Sequence, residues 1–318
     1  MSRIRLGVAG ANGAFGIKHL EALSAINGIE ITAVMATTMK KANGVADRFN
    51  VPLRFDDFDA FITSDGVDAV ILATPTQLHA EQGIKAMAAG KHVLVEIPMA
   101  DNLADSERLV AKQAETGLVG MVGHVRRFNP SHQWVHNEIT KGALSIQQMD
   151  VQTYFFRRTN MNAKGEPRSW TDHLLWHHAC HTIDLFLYQT GEPVNEVHAV
   201  QGPKHPDLGI AMDMAIIMKT RTGKLCTLSL SFNNDGPLGS YFRYICDKGT
   251  YVASYDDLYD GKGQQIDVSA VDVSMNGIEL IDREFIAAIV DGREPNSSLA
   301  QGLPAMTVMD EIERAMTQ

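Results

Sequence analysis

Short apolar runs alternate with stretches of helical periodicity over the first 122 residues. The runs are typical of buried strands, and apolar residues spaced three to four apart indicate amphipathic helices. Strands that alternate with helices in this way favour a doubly wound parallel sheet. The pattern predicts strands at 3–9, 29–35, 69–73, 92–96 and 118–122, and helices at 15–26, 40–49, 80–89 and 103–116.

The pattern changes after residue 145, where the apolar runs become longer and partly alternating. An α+β domain with an open, mostly antiparallel sheet is therefore predicted behind the parallel one. We expect an NAD(P)-binding Rossmann domain over 1–125 and a substrate-binding and oligomerisation domain over 126–318, with the final helices free to pack back on the first. The polar, turn-rich linker 157–168 is a candidate lid. Predicted strands are 146–156, 194–201, 212–220, 225–232 and 241–246, and predicted helices are 172–188, 283–290 and 299–316.

Composition narrows the possible partners. The 318 residues carry a net charge of −10, which argues against nucleic acid or an anionic membrane surface. No apolar run approaches the ~20 residues that span a bilayer. The strand pattern begins within a few residues of Met1, which predicts no signal peptide, and the three cysteines form no disulfide framework. The cytoplasm is the expected compartment, and a small anionic ligand stays compatible because it responds to the local field.

Three glycines lie at the junction between the first strand and the first helix. Gly10, Gly13 and Gly16 lie where backbone amides and a helix N-terminus can meet a pyrophosphate, although their spacing is one residue longer than G-x-G-x-x-G. A plain strand–helix turn is the alternative. The turn residues expected to bind cofactor are Gly10, Asn12, Gly13, Ala14 and Phe15.

The end of the second strand is where a dinucleotide's ribose is recognised. NAD sites usually place an acid there, whereas this chain has Thr37, Thr38 and Lys40 and no carboxylate. These residues favour NADP, with NAD as a weaker cofactor. The alternative is that Lys40 and Lys41 are simply solvated residues of the first helical turn.

Several further motifs resemble one family. Ala73-Thr74-Pro75 is followed by His79, a longer run ends in Glu96-Ile97-Pro98, and two more segments read Arg127-Phe128-Asn129-Pro130 and His181-Thr182-Ile183-Asp184. Together they resemble the Gfo/Idh/MocA family of NAD(P)-dependent oxidoreductases along essentially the whole chain. The resemblance implies that Glu96-Ile97-Pro98 lies beside the nicotinamide and that the second domain's sheet joins subunits, which predicts a homodimer or higher assembly. The cofactor residues it implies are Thr74, Pro75, His79, Glu96, Ile97, Pro98 and His124.

Two positions depart from the usual family pattern. Ile97 stands where the family commonly has Lys, and His177 where it commonly has Asp. The mechanism of the sugar dehydrogenases is therefore not carried over directly. Long strings at 123–134, 150–162, 169–178 and 229–239 instead resemble a branch that oxidises a cyclic hemiacetal carrying two carboxylates, with NADP preferred.

Histidines and arginines concentrate in the middle of the chain: seven of the twelve histidines and five arginines lie between His124 and His181. His177, His181 and Asp184 would share one face of an α-helix, and a histidine titrates near ~6.5, which suits general-base work. We predict His181 as the base with His177 assisting, and Asp184 either orienting His181 or capping a neighbouring element. His178 is a further catalytic candidate.

The same residues allow other interpretations. His173, His177 and His181 have the spacing of metal ligands, but hydride transfer to nicotinamide needs no metal and none is predicted. Cys180 would point about 100° away from His181 around a helix and is expected to be a buried small residue rather than a nucleophile. The histidines could also be structural.

Arginines are the expected carboxylate partners, because a guanidinium pairs with a carboxylate through two hydrogen bonds. We expect one member of each adjacent pair, 126–127 and 157–158, to bind substrate, with salt bridges as the alternative. A sugar or inositol dehydrogenase and a non-catalytic NAD(P)-binding regulator remain alternative functions. The predicted substrate residues are Arg126, Arg127, Arg157, Trp170, His173 and His177.

Overall fold

The computed structural model describes residues 3–161, 165, 167–168, 171–269 and 276–317. The chain divides into two compact units. Unit 1 consists of Met1–Val125 with Val273–Leu303, and unit 2 of Arg126–Asp272 with Pro304–Gln318. The sequence-based division ended the first domain at 125, so the segment 273–303 is a return of the chain to unit 1.

Unit 1 is built on a parallel sheet whose described strands run in the order β3-β2-β1-β4-β5-β6. This order reverses direction between β1 and β4, the crevice where doubly wound sheets bind dinucleotides. The Rossmann fold predicted from the sequence is confirmed. Its elements up to residue 125 are β1 (Ile4–Ala9), α1 (Ala14–Ser24), β2 (Ile29–Met35), α2 (Met39–Phe49), β3 (Leu53–Phe55), α3 (Phe58–Thr63), β4 (Ala69–Leu72), α4 (His79–Ala88), β5 (His92–Val95), α5 (Leu103–Thr116) and β6 (Gly120–Val122).

Two of these elements are absent from the sequence-based prediction. β3 has three residues and α3 has six, which is too short for either period to show. α3 is nevertheless capped, since the Asp57 side chain accepts a hydrogen bond from the Ala60 amide at 2.8 Å. β3 extends the sheet past β2 and brings Asp56 to its edge.

Unit 2 contains the second sheet, in the order β14-β13-β12-β11-β7-β10-β9-β8 among the described residues. Only the β7–β10 pair in it is parallel, so the mostly antiparallel sheet is confirmed. The elements are α6 (Pro130–Thr140), β7 (Ile146–Tyr154), a π-helix (Leu174–Ala179), α7 (Cys180–Thr190), β8 (Val194–Gln201), β9 (Asp213–Thr220), β10 (Leu225–Ser231), β11 (Gly239–Cys246), β12 (Gly249–Ser254), β13 (Asp257–Asp260) and β14 (Gln265–Ile266). Helices α8 (Asn276–Asp291) and α9 (Leu299–Thr317) close the chain.

Three features of unit 2 differ from expectation. Helix α6 and strands β12 to β14 were not predicted. The predicted helix 172–188 begins with a π-helix, in which the backbone hydrogen bonds span five residues instead of four. Both faces of the strand at 225–232 were expected to be apolar, but the less buried set of β10 holds Thr227, Ser229 and Ser231 beside Leu225, while Cys226, Leu228 and Leu230 are buried.

None of the helices in the described part of the chain combines the length and apolar character needed to cross a membrane.

Candidate active site

The glycine turn after β1 has backbone geometry that side chains would prevent. Gly10 adopts φ +74°, and a Cβ there would lie 2.3 Å from the carbonyl oxygen of Ala73 at the end of β4. A Cβ on Gly16 would lie 2.4 Å from the Gly10 oxygen. Both glycines therefore allow close approach of β1, β4 and α1 at the switch point of the sheet.

Helix α1 starts directly from this turn. Its N-cap is Gly13, whose lack of a side chain leaves the first-turn amides uncapped, and its first turn carries no acidic residue. Ala14 and Phe15 are exposed, and Asn12 and Gly13 are partly exposed. Free amides and a positive helix end fit the pyrophosphate of a dinucleotide.

The end of β2 carries hydroxyls and amines, together with one acid that was missed. Thr38 caps α2 by accepting from the Lys41 amide at 3.3 Å, and Thr37, Thr38 and Lys40 are exposed. Asp56, however, accepts a hydrogen bond from the Met39 amide at 3.1 Å. The segment 35–41 itself has no acid, but Asp56 brings a carboxylate to the same corner. Because Asp56 follows the unpredicted strand β3, the sequence pattern gave no signal for it.

His79 ties two loops at the carboxyl edge of the sheet. Its ring nitrogens lie 2.8 Å from the carbonyl oxygens of Thr74 and Pro98. Burial lowers the pKa of His79, so the ring is neutral and donates through one nitrogen at a time. Pro75 and Ile97 stay partly exposed in these loops, which leaves them accessible to a ligand, whereas His124 is buried.

Glu96, directly after β5, belongs to a buried chain of three titratable groups. His19 of α1 lies 2.9 Å from a Glu96 oxygen through Nε2 and 2.8 Å from an Asp282 oxygen through Nδ1. His19 and Asp282 were missed by the sequence analysis. The available signal was a histidine on the apolar face of α1, between Gly16 and Leu23.

The candidate histidines occupy the π-helix and the first turn of α7. His173, His177, His178 and His181 are all partly exposed. His177 Nδ1 accepts a hydrogen bond from the His173 amide at 3.1 Å, so the proton of neutral His177 sits on Nε2. In that tautomer Nε2–H is a hydrogen-bond donor, and the Nδ1 lone pair is already engaged.

Asp172, just before the π-helix, contacts two arginines and a histidine. Arg157 donates to it at 2.5 Å, Arg168 at 2.9 Å, and His178 Nε2 lies 3.3 Å away. Burial alone would raise the pKa of Asp172, but the three partners lower it to about 2. Arg157 and His178, predicted as substrate and catalytic residues, are thus both engaged by Asp172. Arg157 and Arg168 thus share the Asp172 carboxylate.

Arg127 is paired with Asp184, which is the salt-bridge alternative considered for the arginines. Its Nε and a terminal nitrogen donate to the two Asp184 oxygens at 2.8 and 2.6 Å, and both side chains are buried. Burial opposes the charge on Arg127, but Asp184 outweighs it and raises the pKa of the guanidinium. Asp184 therefore anchors Arg127, while its predicted role toward His181 stays a prediction.

Arg126 is different from its neighbour. Its guanidinium is 7% exposed, donates to Asn129 at 3.3 Å and lies over the rings of Tyr255 and Phe242 at 4.8 and 5.6 Å. Within the described residues, no carboxylate oxygen lies within 4.0 Å of it. A buried cation without a carboxylate is costly, so Arg126 is suited to an anionic ligand.

Other predicted features are easily placed. Cys180 is fully buried in α7. In the part of the chain that the structure describes, no three His, Cys, Asp or Glu side chains are grouped to hold a metal ion. Trp170 lies outside the described residues.

Comparison with known families gives the class of protein. Residues 4–124 match the oxidoreductase family with an NAD-binding Rossmann fold, Gfo/Idh/MocA, and residues 130–272 match the C-terminal domain of bacterial oxidoreductases. The chain belongs to the Gfo/Idh/MocA family and is an NAD(P)-dependent dehydrogenase.

Individual relatives are more specific. The chain is 63% identical over 310 residues to 4-carboxy-2-hydroxymuconate-6-semialdehyde dehydrogenase of Sphingobium sp. (strain NBRC 103272 / SYK-6), covering 98% of each chain. It is 31% identical over 224 residues to inositol 2-dehydrogenase of Rubrobacter xylanophilus, covering 70% of this chain and 62% of that one. An oxidoreductase domain protein from Kribbella flavida has the same fold, with a TM-score of 0.87, 19% identity, and coverage of 100% and 98%.

Proposed function

We propose that this protein oxidises the cyclic hemiacetal of 4-carboxy-2-hydroxymuconate-6-semialdehyde to 2-pyrone-4,6-dicarboxylate, with NADP, in the 4,5-cleavage pathway of protocatechuate. The observation that carries this proposal is the 63% identity to the Sphingobium enzyme over 98% of both chains. A site with a base and surplus cations is what such a substrate requires.

Oxidation of a hemiacetal to a lactone removes a hydride from carbon and a proton from oxygen. Bound NADP would supply the hydride acceptor. We assign the proton to His181, because His177 has its Nδ1 lone pair engaged by the His173 amide. His177 can still donate through Nε2 and so orient the substrate.

The two carboxylates of the substrate need cationic partners. Arg126 supplies a buried guanidinium without a carboxylate partner among the described residues, and Arg157 and Arg168 bring two guanidinium groups together on Asp172. We therefore assign one carboxylate to each of these two places. Arg127 is left out of substrate binding because its charge is already paired with the buried Asp184 carboxylate.

The cofactor assignment rests on the end of β2. Thr37, Thr38 and Lys40 are exposed donors around the position of a ribose 2′-phosphate. Asp56 opposes this preference, because its carboxylate is fixed on the first turn of α2. We assign NADP because Thr37, Thr38 and Lys40 are three donors for the 2′-phosphate, against the single acid Asp56.

A homodimer or larger assembly is part of the proposal. The outer face of the unit 2 sheet exposes Val200 and Ile217, which are 70% and 47% accessible, among polar neighbours. An interface on this face would be mixed rather than purely apolar. Light scattering at micromolar concentration should give a mass of at least two chains, and a monomer would contradict this part of the proposal.

The test is direct. Purified protein is mixed with the ring-cleavage semialdehyde and NADP, and both NADPH absorbance and the pyrone dicarboxylate are followed. Equal amounts of NADPH and pyrone are expected, with no reduction of NADP by inositol. Turnover of inositol in place of the semialdehyde would favour the sugar-type alternative, and cofactor binding without any turnover would favour a regulator.

A further inference from the structure

The chain Glu96–His19–Asp282 links three elements of unit 1 that are far apart in sequence. His19 comes from α1, Asp282 from α8 and Glu96 from the end of β5. The side chains of His19 and Asp282 are completely inaccessible, whereas that of Glu96 is 11% accessible. Any ligand can therefore reach this chain of groups only at its Glu96 end.

The place of Glu96 in the sheet indicates which ligand that is. β5 neighbours β4, on the half of the sheet opposite β2, and ligands of such sheets bind beyond the carboxyl ends of the strands. The glycine turn fits the pyrophosphate and the end of β2 the adenosine ribose, so the remaining half of the edge is left for the nicotinamide. Glu96 thus lies on the nicotinamide side.

The Glu96 carboxylate is held from several directions. One oxygen is 2.9 Å from His19 Nε2 and the other accepts from the Ile97 amide at 3.2 Å. A Cβ on Gly123, at the end of β6, would lie 3.2 Å from the carboxyl group. The missing side chain at 123 therefore makes room for Glu96 in this one orientation.

His19 is held in turn by Asp282. Burial disfavours a charged imidazole, but the two carboxylates outweigh burial and raise the pKa of His19 to about 10. The ring is then an imidazolium that donates one hydrogen bond to each carboxylate. Glu279 of α8 is the other charged group facing Asp282.

We propose that His19 is a positioning residue that fixes the Glu96 carboxylate toward the nicotinamide, and that Asp282 of α8 holds His19 for this role. The fixed carboxylate stabilises the positive charge of oxidised nicotinamide relative to the neutral reduced ring. This inference rests on the proposed function only in assuming that the cofactor is NADP.

The experiment measures dissociation constants for NADP+ and NADPH separately, by calorimetry and by NADPH fluorescence, without substrate. In Glu96→Gln we expect the ratio Kd(NADP+)/Kd(NADPH) to rise at least about fivefold, because a nearby carboxylate no longer favours the charged ring. The double variant His19→Asn with Asp282→Asn should give a shift of the same sign and at least about half its logarithm. The pair removes the imidazolium and the Asp282 carboxylate together, so that Asp282 is not left as a buried charge without a partner, and the released Glu96 carboxylate can turn away from the ring.

Coupling separates positioning from a structural role. If His19 acts through Glu96, adding the His19→Asn and Asp282→Asn changes to Glu96→Gln should leave the ratio within about twofold of that in Glu96→Gln alone. Gly123→Ala offers a second route, since its Cβ displaces the carboxylate without changing any charge, and it should raise the same ratio. His92→Asn is the matched control, because His92 is a partly buried histidine of unit 1 whose Nδ1 accepts from the Val119 amide.

The outcomes are distinct. A folded His19→Asn/Asp282→Asn variant with a wild-type ratio, beside a shifted Glu96→Gln, would overturn the positioning role. An unchanged ratio in Glu96→Gln would overturn it as well, because the carboxylate would then not sense the nicotinamide. Failure of the proposed function would appear separately, as intact cofactor binding with no oxidation of the semialdehyde.

Discussion

The glycine turn of unit 1 and the histidine segment of unit 2 are specified by different kinds of contact. At the turn, backbone meets backbone, and Gly10 is required because Ala73 leaves no space for a Cβ. In the segment 172–184, the contacts are made between polar side chains. Asp172 contacts Arg157, Arg168 and His178, and Asp184 contacts Arg127. The glycine turn can be predicted from neighbouring residues in the sequence. The ion pairs of the histidine segment depend on residues that are distant in the sequence and close in the fold.

The largest expected effect concerns the histidine segment. His181→Asn should lower kcat by ~10²–10⁴, because the proton of the hemiacetal loses its acceptor. The acidic limb of kcat/KM near pH ~6–7 should vanish with it, while the Kd for NADP stays unchanged. Stopped-flow assays across pH and cofactor titrations would measure both.

His177→Asn is the matched control for that experiment. It should raise KM more than it lowers kcat, since His177 Nε2 is a donor in the neutral state. Loss of the pH limb in His177→Asn instead of His181→Asn would reverse the two roles. A change below about threefold in kcat for both would make the histidines structural.

A substitution at Gly10 and a matched control substitution at Gly28 test the glycine turn. Gly10→Ala places a Cβ against the Ala73 oxygen at a positive φ, so we expect a loss of about 1–3 kcal/mol in unfolding free energy. NADP affinity should fall at least about tenfold, which corresponds to ~1.4 kcal/mol. Gly28→Ala has the same sign of φ but open space around the Cβ, so it should cost only about 1 kcal/mol and leave NADP affinity unchanged. Denaturant melts and calorimetry give both quantities, and equal effects of the two changes would refute the proposed close approach.

Acid should weaken the Asp172 cluster. The folded pKa is about 2 against an ordinary value of 3.8, so the stabilisation is complete above pH 3.8 and is lost as pH falls toward 2. The difference corresponds to about 2 kcal/mol. Urea melts from pH 6 down to pH 3 should lose stability more steeply in the wild type than in Asp172→Asn, and parallel curves would argue against the cluster.

The smallest expected effect is on cofactor choice. We expect NADP to exceed NAD by at least tenfold in kcat/KM, or ~1.4 kcal/mol, and Asp56→Asn to widen that ratio because it removes the one acid at the end of β2. Replacing Thr37, Thr38 and Lys40 together should erase the preference. Equal use of both cofactors by the wild type, measured at saturating substrate, would remove the NADP assignment.

The parallel sheet could be predicted because its strands and helices each carry a local period, and the glycine turn because its chemistry lies within seven residues. β3 and α3 are too short to show a period, and they hide Asp56. The π-helix buries the same kinds of apolar residue that an α-helix would bury. The sequence pattern therefore could not reveal that His177 and His181 have a different angular separation around the helix axis.

The partners of the buried charged side chains were the other feature that could not be predicted from the sequence. Asp184 was predicted to face His181 or to cap an element, but Arg127, 57 positions earlier, occupies both of its oxygens. His19 and Asp282 are 263 positions apart. Such pairs cannot be predicted from the spacing of residues in the sequence. A polar residue on an apolar helix face indicates only that it has a buried partner, not which residue that partner is.

The return of residues 273–303 to unit 1 bears on how the protein is made. During synthesis, α1 and β5 leave the ribosome long before α8, because all of 126–272 is translated in between. Until Asp282 arrives, His19 has one of its two carboxylates, and the nascent Rossmann unit can assemble its sheet but not its complete polar core. Domain-wise folding from the N-terminus is therefore interrupted here, and the first unit is finished only after the second has been translated.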